Sequence, residues 1–341
     1  MGKEVILITG GAGFIGSHLI ERLLVEGYRI ICLDNFNNYY DPELKEKNIS
    51  NVLKNPNFKL IRGDILDVPL LHRIFSGKYF LNENISNLTP NNKNLKPNKV
   101  IHLAAMAGVR ASIVSPDVYI DVDVKGTLNL LEMSRIYEIK QFIFASSSSV
   151  YGINKKIPFS EDDPVELQIS PYAAAKKSAE LLCKTYHHLH NIKITILRLF
   201  TIYGPRQRPD MAIRKFTNLI FNDKKITMFG DGTSKRDYTY VSDCIDGFIA
   251  SIKKPFDFEV FNIGSGKTIK LKKLIDLIGK LVGKEIRIEY LDNQKGDVPV
   301  TFADIKKAKR LLGYSPRVSI EDGVDKFINW YKKEYMERSL N

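Results

Sequence analysis

The chain has 341 residues, 44% hydrophobic and 26% charged, an ordinary balance for a folded globular protein and long enough for two packed domains. Its formal charge of +12 would suit nucleic acid or an anionic small substrate, but Lys and Arg alternate with acids and no basic run is interleaved with aromatics, so no nucleic-acid partner is expected. Cys32, Cys183 and Cys244 form no CxxC pair and no apolar run could span a bilayer, which excludes a disulfide framework, a metal site and a membrane partner and points to a cytoplasmic location.

Glu4 to Thr9 (EVILIT) reads as a buried parallel strand, and Ser17 to Glu26 has helical apolar spacing. The eight residues Thr9-Gly10-Gly11-Ala12-Gly13-Phe14-Ile15-Gly16 therefore join strand to helix, the context a dinucleotide fingerprint requires. Glycines let the backbone turn tightly, approach a pyrophosphate and pack helix on strand, while the helix N-terminus offers amides to the phosphates. Gly10, Gly13, Phe14, Ile15 and Gly16 are the cofactor candidates in this loop. A second strand, Arg29 to Leu33, ends at Asp34, whose carboxylate can accept hydrogen bonds from an adenosine ribose and would repel a 2′-phosphate, favouring NAD over NADP.

Strand-like segments at Phe58 to Arg62, Lys99 to Leu103, Gln141 to Ala145 and Lys193 to Leu197 alternate with helical stretches. That alternation predicts an α/β fold, a doubly wound parallel sheet of the Rossmann kind, with a second, smaller substrate-binding domain. The Asn-rich stretch Leu81 to Asn98 reads as a loop inserted before the fourth strand. After Tyr203 the pattern changes to Pro and Gly turns and shorter elements, with late helices at Leu271 to Val282 and Ile320 to Glu334. The chain is expected to return to the sheet near Tyr240 to Ala250 and Glu259 to Ile263, giving a cofactor domain of residues 1–202 and 239–263 and a substrate domain of residues 203–238 and 264–341.

Ser170-Pro171 has the form of a helix start, and the helix runs on through AAAKKSAELLCKTYHH. Tyr172 and Lys176 thus lie four residues apart on one face. An ammonium beside a phenol favours phenolate, so this tyrosine is expected to accept a proton from a substrate hydroxyl while hydride leaves the same carbon for NAD⁺. A lone YxxxK is commonly just an exposed helix pair. Here the preceding strand opens into Ser146-Ser147-Ser148-Ser149-Val150-Tyr151-Gly152, and residues just past a strand's carboxyl end line the cofactor crevice of such a fold. His187, His188 and His190 lack acidic or Cys partners and read as surface residues.

With these residues assembled, the chain resembles the extended short-chain dehydrogenase/reductase family and, within it, the nucleotide-sugar epimerases. The matching pieces are TGGAGFIG, Asp34-Asn35, Gly63-Asp64-Ile65, His102-Leu103-Ala104-Ala105, SSSSVYG, YAAAK, Tyr203-Gly204-Pro205, Arg236-Asp237-Tyr238 and Gly296-Asp297-Val298. The resemblance implies Ser147, Tyr172 and Lys176 as the catalytic set, with Tyr172 the base and Lys176 also holding the nicotinamide ribose. It implies Asn35, Asp64 and Ile65 at the adenosine end, Leu103, Ala104 and Ala105 along the middle of the cofactor, and Arg236 and Asp297 on the nucleotide half of a UDP-sugar. One departure is Asp123, where many relatives have Asn. A homodimer through a four-helix seam, built from Pro116 to Ile136 and Ala173 to His188, is also implied, although ordinary packing on the sheet would use the same faces.

Dehydratases and decarboxylases of this family carry acids just before the Val-Tyr-Gly tyrosine, where this chain has Ser148 and Ser149. Elimination and decarboxylation are therefore disfavoured, and both serines become substrate-side candidates. Thr201 followed by Arg206-Gln207-Arg208-Pro209-Asp210-Met211-Ala212 looks like UDP-glucuronate 4-epimerases. A uronic acid brings a carboxylate that needs a partner, for which Arg208 is fitting, and Arg208 with Thr201 could hold that carboxylate near the ring plane so that the 4-keto intermediate keeps its CO₂. Epimerisation of a neutral UDP-hexose or UDP-N-acetylhexosamine, and a non-catalytic NAD-binding sensor, stay open as alternatives.

Overall fold

The computed structural model describes residues 4–80, 95–292 and 298–339. Asp297, with Gly296, and most of the Asn-rich segment lie outside the described residues. The first half runs β1 (Val5–Thr9), α1 (Phe14–Val25), β2 (Arg29–Asp34), α2 (Pro42–Ile49), β3 (Phe58–Arg62), α3 (Val68–Phe75), β4 (Lys99–His102), α4 (Val109–Val114), α5 (Pro116–Tyr119), a π turn (Ile120–Lys125), α6 (Gly126–Ile136) and β5 (Gln141–Ser147). There follow α7 (Pro171–His190), β6 (Ile194–Leu199), β7 (Thr201–Tyr203), α8 (Ala212–Phe221), β8 (Ile226–Phe229), β9 (Lys235–Arg236), β10 (Tyr238–Tyr240), α9 (Val241–Lys253) and β11 (Phe258–Ile263). The chain closes with β12 (Ile269–Lys270), α10 (Leu271–Val282), β13 (Ile288–Leu291), α11 (Lys306–Leu312) and α12 (Ile320–Ser339).

Seven strands form one sheet in the order β11-β6-β5-β4-β1-β2-β3, making this a doubly wound α/β fold. β1 pairs in parallel with both β2 and β4, so the strand order reverses between β1 and β4. That reversal opens a crevice at the carboxyl ends of the strands, the place where such sheets bind ligands. β1 is buried along its whole length, which is why its sequence is a continuous apolar run rather than an alternating one. Its Val5 and Leu7 share one apolar core with Ile31, Val100, Phe142 and Ile194 of other strands and with helix residues such as Leu71, Leu130 and Ala179.

Two compact units result, one comprising Met1–Val150, Gln168–Arg198 and Phe248–Phe261, the other Tyr151–Leu167, Leu199–Gly247 and Asn262–Asn341. Of the two expected returns to the sheet only the second is a strand, β11. Residues 241–253 are instead helix α9, because Val241, Ile245, Phe248, Ile249 and Ile252 recur at helical spacing and are all buried. The long amphipathic segment from Pro116 to Ile136 is likewise interrupted by the π turn, an insertion that recurs at functional sites.

Candidate active site

At Gly10 and Gly16 the glycine turn is packed too closely against backbone for any side chain. A Cβ on Gly16 would stand 2.5 Å from the Gly10 carbonyl oxygen and 2.7 Å from Gly11 Cα, and Gly10 itself has φ +68°, with an added Cβ 2.7 Å from the Ala104 amide nitrogen. The start of α1 is thereby drawn against the ends of β1 and β4. Gly13 is the N-cap, so the amides of Phe14, Ile15 and Gly16 have no acceptor within the helix and point out of its first turn. This cradle, formed by backbone alone, fits a diphosphate.

Asp34 ends β2 and is buried. Its Oδ2 accepts the Ala12 amide at 3.1 Å and its Oδ1 accepts the Phe36 amide at 2.9 Å and the buried Lys45 ammonium at 3.0 Å. A carboxylate offers about four acceptor sites, so a ribose hydroxyl can still be accommodated. Lys45 on α2 is absent from the sequence-based reading, and its charge weakens the argument that Asp34 would repel a 2′-phosphate. Asn35 donates to Asp64 at 2.8 Å, joining two of the adenosine-side candidates, and Ile65 is buried against the start of α6, where a Cβ on Gly126 would fall 2.4 Å from Ile65 Cδ1.

Beyond β4 the backbone is held by side chains. Thr9 Oγ1 accepts the Ala104 amide at 3.3 Å, the Leu103 amide bonds the Thr9 carbonyl at 3.1 Å, and Asp123 Oδ1 accepts the Met106 amide at 2.7 Å. His102 bridges Thr9 and Thr127 through Nδ1 at 2.8 Å and Nε2 at 2.9 Å. Because the Thr127 hydroxyl donates to the Asp123 carbonyl, it receives the imidazole proton, which assigns that proton to Nε2. Burial, reinforced by the Lys176 charge, drops the His102 imidazole well below its usual range and keeps it neutral. Burial pushes the Asp123 carboxyl up to about 6, with Lys176 and the Met106 amide opposing.

Helix α7 carries the tyrosine expected from the sequence to be the base. Ser170 caps it by accepting the Ala173 amide at 3.2 Å, which sets Tyr172 in the first turn and Lys176 one turn on. Lys176 is buried, donates to the Ala145 carbonyl at 3.1 Å and sits 5.0 Å from the Phe144 ring centre. Tyr172 is half-buried and meets Tyr119 edge to face, with ring centroids 6.1 Å apart, while the Tyr119 hydroxyl donates to the Ala107 and Gly108 carbonyls. At the end of β5 the Ser147 hydroxyl accepts the Ser149 amide at 3.1 Å and donates to the Ser149 hydroxyl at 3.2 Å, and Ser148 begins the short turn that follows. Farther along α7, Arg198 of β6 grips buried Glu180 in a two-pronged ion pair of 2.9 and 2.8 Å, and Ser146 donates to the same carboxylate at 2.7 Å. Burial alone would raise Glu180; Arg198 and Ser146 hold it below the usual carboxylate range. Ser147, Tyr172 and Lys176 thus stand on β5 and α7, two elements stitched together through Lys176 and Glu180.

The second unit carries Thr201, Arg208 and Arg236. Thr201 opens β7, its amide bonding the Asp237 carbonyl at 3.1 Å. Arg208 holds Asp210 through Nε at 3.0 Å and Nη2 at 2.9 Å, so the fork expected for a sugar carboxylate is engaged by an acid of the chain itself. Arg236 Nη1 donates to its neighbour's carbonyl at 2.9 Å. Beside it Asp237 is buried and accepts the Ser265, Gly266 and Ala303 amides at 2.7, 3.1 and 3.2 Å, drawing two segments to one carboxylate. His187 bonds the Ile192 carbonyl at the end of α7, and among the described residues no three His, Cys, Asp or Glu are grouped to hold a metal. The three thiols are buried and form no disulfide, and no described helix is long and apolar enough to cross a membrane.

A family profile described as GDP-mannose 4,6 dehydratase matches residues 7–327. The chain is 44% identical over 328 residues to a UDP-glucuronate 4-epimerase of Thermodesulfobacterium geofontis, covering 96% of each protein. It superposes with TM-score 0.85 at 38% identity on a UDP-glucuronic acid 4-epimerase from Bacillus cereus solved with UDP-glucuronic acid and NAD, covering 97% of this chain and all of that one. A UDP-glucose 4-epimerase from Thermotoga maritima, solved with UDP-glucose, gives the same TM-score at 34% identity, with coverage of 97% and 99%.

Proposed function

This chain belongs to the GDP-mannose 4,6 dehydratase family, and from that membership together with the α7 geometry we propose that it is an NAD-dependent 4-epimerase interconverting UDP-glucuronate and UDP-galacturonate. The observation that carries the reading is Tyr172 and Lys176 one turn apart on α7, with Lys176 anchored to the end of β5 beside Ser147. NAD, when bound, supplies the acceptor and then the donor of one hydride at C4 of the sugar. The Gly10 to Gly16 turn and the α1 amides hold its diphosphate, Asp34 its adenosine ribose, and Lys176 its nicotinamide ribose.

Tyr172 takes the proton of the C4 hydroxyl and returns it after the keto sugar has turned its other face, while the Ser147 hydroxyl shares the oxygen. Ser148 and Ser149, in place of acids, leave no carboxyl at the β5 end to drive elimination, which separates this chain from the dehydratase chemistry in the family's description. Thr201, Arg208, Arg236 and Asp297 are proposed for the UDP-sugar, with residues 203–238 and 264–341 as its domain and residues 1–202 and 239–263 as that of the cofactor. The Arg208–Asp210 pair favours a second reading, a neutral UDP-hexose, because no side chain of that fork is then called on to bind a sugar carboxylate.

We also propose a cytoplasmic homodimer. Val114, Ile120, Leu181 and Leu189 are all more than half exposed on α4, the π turn and α7, an apolar face that a second copy would cover. Val114→Asp and Leu181→Asp should then yield monomers in light scattering. The reaction is tested by incubating purified protein with UDP-glucuronate and no added cofactor. NMR should find UDP-galacturonate, and Tyr172→Phe should abolish it without changing the melting temperature. Product from UDP-glucose alone would transfer the assignment to the neutral sugar, and product from neither would refute it.

A further inference from the structure

We propose that Asp123 is a positioning residue for the cofactor end of the site: ionised, it offsets the charge of Lys176 and favours the oxidised, cationic nicotinamide over the reduced, neutral one. The inference rests on the NAD-dependent reading and concerns an oxygen that reading leaves without a task. Asp123 is 1% exposed, and while Oδ1 accepts the Met106 amide, Oδ2 is buried with no hydrogen-bond partner. A buried polar atom without a partner is costly and calls for an explanation. The carboxyl sits in the π turn, an irregularity that places it where the loop leaving β4 turns over the crevice.

Of the elements packed on that turn, α7 brings Lys176, the charge that acts on Asp123, together with Tyr172 and with Glu180, which is engaged by Arg198. Strand β4 brings His102, which burial holds neutral, and α6 brings Thr127, which bonds the Asp123 carbonyl. Helix α5 brings Tyr119, bonded to the 107–108 backbone, and the exposed Asp117. Lys176 is the residue proposed to hold the nicotinamide ribose. A fixed negative charge beside it is attracted to a pyridinium ring and indifferent to a dihydropyridine, so it weights the oxidised form. An Asn at this position would keep the Met106 bond and lose the charge.

Holoenzyme equilibrated with mixtures of NAD⁺ and NADH, then freed of unbound nucleotide and read by the near-ultraviolet absorbance of reduced nicotinamide, tests the idea. At about pH 8 the Asp123→Asn protein should bind NADH relative to NAD⁺ about tenfold more readily than wild type, the effect of one unit charge acting over roughly 12 Å at an effective dielectric of about 20. The gap should close as pH falls through about 6, where Asp123 takes up its proton. An equal preference at about pH 8, or a gap that ignores pH, overturns the proposal.

Carboxyl-carbon NMR of wild-type protein supplies a second readout that does not need the variant to fold. By reciprocity the Asp123 titration midpoint should lie about one pH unit lower with NAD⁺ bound than with NADH bound. Equal midpoints overturn the proposal. Neither measurement involves a sugar, so the epimerase assignment can fail without touching this one.

Discussion

Replacing Asp123 by Asn should stabilise the cofactor-stripped protein, and by an amount that depends on pH in a defined direction. Asn is isosteric and can still accept the Met106 amide at 2.7 Å, so the change removes charge and little else. Burial moves this carboxyl from an ordinary 3.8 to about 6, which makes its folded value the higher one. The folded state therefore binds the proton more tightly than the unfolded chain does. Stability from that proton is fully present below the ordinary value and is lost as pH rises through about 6. With 1.36 kcal/mol per pH unit, the loss amounts to about 3 kcal/mol for a group this deeply buried. Urea unfolding of both proteins at steps from about pH 4 to about pH 8 gives the difference directly. His102 and every other titrating group cancel in it. The two proteins should be nearly equal at the acid end, and the Asn protein should be more stable by about 3 kcal/mol at the alkaline end. A difference flat across that range, or one favouring Asp at about pH 8, would refute the account of a buried carboxylate only partly compensated by Lys176 and the Met106 amide.

Three further outcomes follow from other contacts. Arg198→Met should cost about 3–5 kcal/mol in urea unfolding by leaving Glu180 charged and buried, and Arg198→Met with Glu180→Leu should recover most of the loss. Gly16→Ala should destabilise by about 3 kcal/mol and release the nucleotide in equilibrium dialysis, since its Cβ would meet backbone atoms at 2.5 and 2.7 Å that no rotamer change can move. His102, depressed by burial, gives stability that is present above about pH 6.5 and lost as pH falls through its folded value; His102→Gln should flatten that part of the acid unfolding curve.

What was legible in the residues was whatever rests on local spacing. The glycine turn, the acid at the end of the second strand, and Tyr172 four residues before Lys176 each depend on chain geometry over a few positions. Contacts set by the meeting of distant segments were not. Lys45 reaches Asp34 only because α2 folds back over the sheet, and the Thr9–His102–Thr127 bridge spans residues 9 to 127, so no window of sequence contains it. Arg208 and Asp210 are two residues apart, so local spacing allows their pairing, but spacing alone does not decide between that acid and a sugar carboxylate as the partner of the guanidinium. The return to the sheet expected near Tyr240 to Ala250 is helix α9 rather than a strand, because its buried Val, Ile and Phe recur at helical spacing, which the β-branching of Val and Ile does not reveal.

Helix α7 bears Tyr172 in its first turn, is clamped by an arginine fork two turns later, and presents Leu181 and Leu189 to the outside. In the proposed homodimeric enzyme, association and chemistry therefore share one stiff rod. Diluting such an enzyme below the point where its copies part should slow turnover per chain, so its specific activity becomes a reporter of its own concentration.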